Sequence, residues 1–205
     1  MKYLKILGLA AVAAAALMAF AGSASATVLC NNNTSTTACT SKVTAGTAIK
    51  SELNGGSATL ETTGGTVLVT CTGSTVAGTV ENAGGSAATV GGKITALTWS
   101  GCSKEVKTLV NGELEIHHIA GTDNGTLTAK NTQVTVNGLF ENESCIYGAG
   151  TGTDLGTLVG GAPATLSISA LVKRQTGSGA LCPAETRWTA SYKVTAPNPL
   201  YVAAA

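Results

Sequence analysis

Charge is scarce in this chain. Lysine, arginine, aspartate and glutamate together make up 11% of its 205 residues, and histidine occurs twice. So sparse and balanced a set cannot gather polyphosphate, which sets nucleic acid aside as a partner. Catalytic signatures are missing as well. No Gly-x-Ser-x-Gly nucleophile elbow and no His-Glu-x-x-His pair occurs, and the only aspartates, Asp123 and Asp154, lie in Gly/Thr-rich turn contexts. No Cys-x-x-Cys or Cys/His spacing points to zinc. Aromatic residues are 4% of the chain, too few for the exposed stacking platform of a carbohydrate module. The sequence therefore carries no reaction on its face, and neither an enzymatic activity nor a cofactor is expected.

One long apolar run does occur, at the start. Lys2 and Lys5 precede an apolar stretch from Ile6 to Phe20, and Ala24-Ser25-Ala26 forms a small-residue cleavage site. That is the pattern of an export signal over residues 1–26, expected to be helical and removed. The stretch is too short for a membrane span, and Leu29 before Cys30 argues against a lipid anchor. Taking 26 residues from 205 leaves a mature chain of 179, the size of one domain with a real core. Taking Lys2 and Lys5 from 12 basic residues leaves 10 against 11 acidic, a formal charge of −1. No membrane association is expected after cleavage.

All six cysteines, Cys30, Cys39, Cys71, Cys102, Cys145 and Cys182, lie in the mature part. An even number in an exported chain implies three disulfides. Many connectivities satisfy that count. The sequential set, Cys30–Cys39, Cys71–Cys102 and Cys145–Cys182, is favoured because each bridge closes a contiguous block.

What is abundant is Thr, Gly, Ala, Ser and Val. Asn-Gly pairs at 54–55, 111–112, 124–125 and 137–138, and Gly-Gly pairs at 55–56, 64–65, 84–85, 91–92 and 160–161, read as turns. Between them run short segments of period two. Trp188, Ala190, Tyr192 and Val194 share one face against Thr189, Ser191, Lys193 and Thr195; Leu166, Ile168, Ala170 and Val172 repeat the pattern. Val67, Val69 and Cys71 fall together, which places that cysteine beneath the sheet. Further strands are expected at 47–53, 57–62, 74–81, 93–99, 105–110, 113–119, 126–129 and 132–140. No mature segment keeps a 3.6-residue apolar period. The fold class is all-β, an antiparallel sandwich or jelly roll of roughly ten or more strands. It should form one domain over 27–205, with an irregular segment at 27–44 and an exposed tail at 197–205.

The stretches "VTCTGSTVAGTVENAGG", "GGKITALTWSGC", "DNGTLTA" and "LCPAETRWTASYKVTAPNPLYV" resemble a group of exported β-proteins of soil actinobacteria, and the resemblance spans nearly the whole mature chain. It implies no activity. The block "TCTGSTVAGTV...TWSGC" is more loosely similar to the secreted proteins named activators of alkane oxidation. No site residue is carried over from either.

The densest polar stretch is Gly112-Glu-Leu-Glu-Ile-His-His-Ile-Ala-Gly121, which holds both histidines. On a strand, Glu113, Glu115 and His117 share a face, spaced about 7 Å apart because each residue advances roughly 3.3 Å. Glu115 and His117 are the candidate metal ligands, although a tight site needs a further ligand from a neighbouring strand. The plainer reading is a solvated strand face, with His118 as a partly buried, hydrogen-bonded imidazole. Asp123, His117 and a serine make a triad on paper only. Trp99 and Trp188 read as core, and Tyr201 in the tail reads as the best candidate for contact with a partner. Two functions remain. The first is a non-enzymatic secreted or cell-surface structural or interaction protein, its partners the cell wall, the extracellular matrix or further copies of itself. The second is an extracellular binding module for a small apolar molecule or a glycan.

Overall fold

The computed structural model describes residues 26–34, 37–140 and 143–205, so the expected export helix lies outside the described residues apart from Ala26. All regular structure is antiparallel β, in fourteen strands among the described residues. They are β1 (Val28–Cys30), β2 (Ala48–Leu53), β3 (Ala58–Thr62), β4 (Val67–Gly85), β5 (Ala88–Cys102), β6 (Glu105–Val110) and β7 (Glu113–His118). They continue with β8 (Gly125–Lys130), β9 (Gln133–Phe140), β10 (Glu143–Gly148), β11 (Thr153–Val159), β12 (Thr165–Arg174), β13 (Glu185–Ala196) and β14 (Tyr201–Ala203).

Register shows how they assemble. β2 and β3 both pair with β13 and with β4, one above the other, so together they fill a single position. The pairs β6/β7, β8/β9 and β10/β11 likewise run as interrupted long strands, meeting each other as hairpins. The result is eight staves in sequence order, β2/β3, β4, β5, β6/β7, β8/β9, β10/β11, β12 and β13. Because β13 pairs back onto β2 and β3, the sheet closes into an eight-stranded up-and-down barrel. This replaces the sandwich or jelly roll expected from the sequence. Alternation fixes which side chains face inward, whereas closure depends on the first and last staves meeting across more than 100 residues, which no local pattern encodes.

Two Asn-Gly pairs fall at interruptions, Asn54-Gly55 between β2 and β3 and Asn111-Gly112 between β6 and β7; Asn137-Gly138 lies within β9, and Asn124-Gly125 lies at the β7–β8 hairpin. Gly-Gly pairs 64–65 and 84–85 do lie at the β3–β4 and β4–β5 hairpins, but Gly55, Gly112 and Gly138, all at positive φ, sit inside staves. There they make the breaks and bulges that bend a long strand around a closed barrel. Gly112 is the tightest of these in one respect. A β-carbon there would fall 2.5 Å from the Lys130 carbonyl oxygen and 2.7 Å from the Thr132 amide nitrogen.

One end of the barrel is capped. β1 and β14 form a two-stranded sheet across it, Leu29 pairing with Val202, and Gly161 bridges to Leu200. Leu29, Leu200 and Val202 pack with Val80, Val90, Leu158, Ala164 and Val194 from the barrel wall. The tail at 197–205 is therefore not exposed: Leu200 and Val202 are 2% and 0% accessible. Two prolines turn the chain back over the barrel mouth, where its apolar residues have a surface to cover. Within the segment 27–44, Val28–Cys30 is a strand and not irregular.

Three disulfides join Cys30 to Cys39, Cys71 to Cys102 and Cys145 to Cys182, the sequential pairing. The first fastens the cap. The second links directly paired residues of β4 and β5 near the end opposite the cap. The third ties β10 to the long loop between β12 and β13. Cys71 is fully buried, as the alternation of Val69 and Cys71 implied.

Candidate functional site

Eight strands enclose an interior that side chains nearly fill or that holds one small molecule. Inward-facing residues of all eight staves are apolar: Leu60, Val76, Leu97, Leu114, Leu127, Leu155, Ile168 and Tyr192 each represent one stave on the same wall. They surround a cavity of about 120 Å³ below the cap. A second cavity of about 80 Å³, reaching up to Leu29 of the cap, shares Val76, Ile94 and Leu114 with it. Small inward residues leave the space open. Ala129 and Ala149 line the wall where a larger side chain would fill it, while Gly148 admits the Thr132 carbonyl from the next stave.

Four aromatic side chains furnish this interior. Trp99 on β5 and Trp188 on β13 meet edge to face, with ring centroids 4.8 Å apart and planes at 81°, a favourable arrangement of their quadrupoles. The Trp99 indole N–H donates to Thr108 Oγ1 at 3.1 Å, and that hydroxyl donates to the Leu97 carbonyl at 2.7 Å. The Tyr192 hydroxyl is paired with Ser74 Oγ at 2.9 Å. Tyr147, on β10, differs. It is 3% accessible, lines the larger cavity, and its hydroxyl has no hydrogen-bond partner. Thr186 Oγ1 is also unpartnered but does not line the cavity. Burial pushes both Tyr147 and Tyr192 up to about 12, opposed at Tyr147 by the nearby Arg174 charge and at Tyr192 by the Ser74 hydrogen bond. Among the residues lining the larger cavity there is no Asp, Glu, Lys, Arg or His. The interior is neutral, apolar and supplied with one idle hydroxyl.

The wall is not uniform. β6 is joined by a regular ladder to β9, but no ladder joins it to the adjacent part of β5. That seam is closed by the Trp99–Thr108–Leu97 chain, by Asn111 Nδ2 donating to the Thr95 carbonyl at 3.0 Å, and by the Ile94 N–H donating to the Gly112 carbonyl at 3.0 Å.

The candidate ligand, triad and partner-contact residues named from the sequence lie elsewhere. Glu113, Glu115 and His117 form a row on β7. Glu113 pairs with Lys130 at 3.4 Å, while Glu115 and His117 lie opposite Thr128 and Thr126. Among the described residues no three His, Cys, Asp or Glu are grouped to hold a metal ion. His118 is half-buried, its Nε2 at 2.7 Å from the Thr122 carbonyl. Asp123 accepts a hydrogen bond from Thr34, which ties the cap segment to the β7–β8 loop. Tyr201 is half-buried in β14 against Gly160, not displayed on a free tail. Trp99 and Trp188 are interior, and they border a space instead of filling it. Tyr147 is one of eight aromatic residues in the sequence. Its strand went unmarked because Cys145, Ile146 and Tyr147 give only one step of alternation beside a glycine-rich run.

No family model matches the chain, and comparison with curated proteins and with solved structures gave no match.

Proposed function

We propose that this chain is an exported, non-enzymatic binding protein that holds a small apolar molecule inside its barrel. The observation that carries the reading is the cavity of about 120 Å³ lined by apolar side chains from every stave. An apolar cavity of roughly 150 Å³ in a protein core stays dry and takes up benzene or xenon. Of the two functions drawn from the sequence, the cavity favours the binding module over the surface component, and its lack of charged and amide side chains favours an apolar ligand over a glycan. Three disulfides agree with an oxidising, extracellular setting. Polarity supports release from the membrane: the staves point Arg187, Thr189, Ser191 and Lys193 outward and apolar side chains inward, the reverse of a lipid-facing barrel.

Toluene provides the test. Ligand at a hundred times its Kd stabilises by about 2.7 kcal/mol, which raises the melting temperature of a domain this size by roughly 5–10 °C. The mature protein should melt higher with saturating toluene, and Ala129→Leu, which fills the cavity, should abolish the rise. An unchanged melting temperature would reject the reading.

A further inference from the structure

Resting on that reading, we infer that the ligand is a single-ring aromatic molecule bearing one uncharged oxygen acceptor, held by a hydrogen bond from the Tyr147 hydroxyl. Size limits it first. A space of about 120 Å³ suits a benzene-sized ring with one short substituent, about six to eight non-hydrogen atoms. The Trp99–Trp188 pair at the wall favours a ring, which can add an edge-to-face contact to the pair already formed. Charge is excluded, because no lining side chain would compensate it and burial without a partner is prohibitive.

The hydroxyl supplies the rest of the specification. A buried polar group without a partner is unusual and costs free energy for as long as it stays unmatched. The other hydroxyls of the lining are committed, Tyr192 to Ser74 and Thr132 Oγ1 to the Asn111 carbonyl at 3.0 Å, and the Trp99 indole N–H donates to Thr108. Among the described residues Tyr147 carries the one unpartnered hydroxyl of the lining, on a side chain that is 3% accessible and borders the empty space. Its phenol stays protonated up to about pH 12 because burial disfavours the phenolate, so it is available as a donor throughout the physiological range. An oxygen on the ligand satisfies it.

Anisole and ethylbenzene test this directly, because they match in size and differ by an ether oxygen in place of a methylene. Both are titrated into the mature protein and into Tyr147→Phe, following tryptophan fluorescence, with melting temperature as the check on folding. Removing an unpartnered hydroxyl should leave the fold at least as stable. Tyr147→Phe should weaken anisole about tenfold and change ethylbenzene by less than about twofold. If both probes bind and the substitution affects them equally, or neither, the hydroxyl plays no part and the inference fails while the cavity reading stands. If neither probe binds either protein, the cavity reading itself fails and takes the inference with it.

Discussion

Tyr192 and Ser74 show how much a single buried hydroxyl pair decides. Both groups are shielded from water, and each satisfies the other at 2.9 Å. Tyr192→Phe strands the Ser74 hydroxyl and should cost about 1–3 kcal/mol in urea unfolding, whereas the double replacement with Ser74→Ala should recover most of that loss. The two interior tyrosines also set a pH dependence. A tyrosine titrates near 10 in an unfolded chain, and both are pushed up to about 12 in the fold by burial. The folded state therefore holds their protons more tightly. The stability this represents is fully present below about pH 10 and is lost as pH climbs towards about 12. Unfolding followed by tyrosinate absorbance should show alkaline destabilisation in that window; stability that stays flat across it would mean that these phenols are solvated. At Gly112, positive φ and crowding by the Lys130 carbonyl act together, so Gly112→Ala should lower the denaturation midpoint by the equivalent of about 1–3 kcal/mol.

Among the elements, β6 is the weakest part of the wall. It meets β5 through side-chain hydrogen bonds where the other staves meet through ladders. Native-state hydrogen exchange should find the β6 amides that face β5 opening well before those of β12 and β13, which share nine paired positions. Thr108→Val, which removes two bonds of the seam at once, should widen the gap; equal protection across all staves would contradict it. The same scale shows what a sequence can disclose. The clean alternations at 164–173 and 188–195 gave β12 and β13 with their inward faces correct, because period two is a local property of the backbone. β10 and β11 were missed where Gly148, Gly150, Gly152 and Gly156 break the alternation, and two expected strands at the start of the barrel proved to be one, β4. Asn124-Gly125 does lie at the β7–β8 hairpin, whereas the other three Asn-Gly pairs read as hairpin turns only because turn chemistry and bulge chemistry use the same left-handed residues. Their role depends on whether a barrel has to bend there, which is a tertiary fact. The candidate site was less legible still: Trp188 and Tyr192 face inward by pattern, but only closure brings Tyr147 and Trp99 to the same space.

At the scale of the whole molecule, one closed wall, one two-stranded cap and three covalent ties make the shell that leaves a space inside. The Cys71–Cys102 bridge spans 31 residues of sequence; replacing both cysteines by alanine should cost about 4 kcal/mol by loop-closure entropy, measured under non-reducing conditions. Reduction of all three should cost more and free the cap. The central claim is that the barrel interior is a dry apolar space open to a small guest. Diffraction from crystals of the mature protein pressurised with xenon tests it most directly. Xenon density inside the barrel, bordered by Tyr147, Trp99 and Trp188, is the predicted result. An interior filled by those side chains, with xenon only on the outer surface, would contradict it.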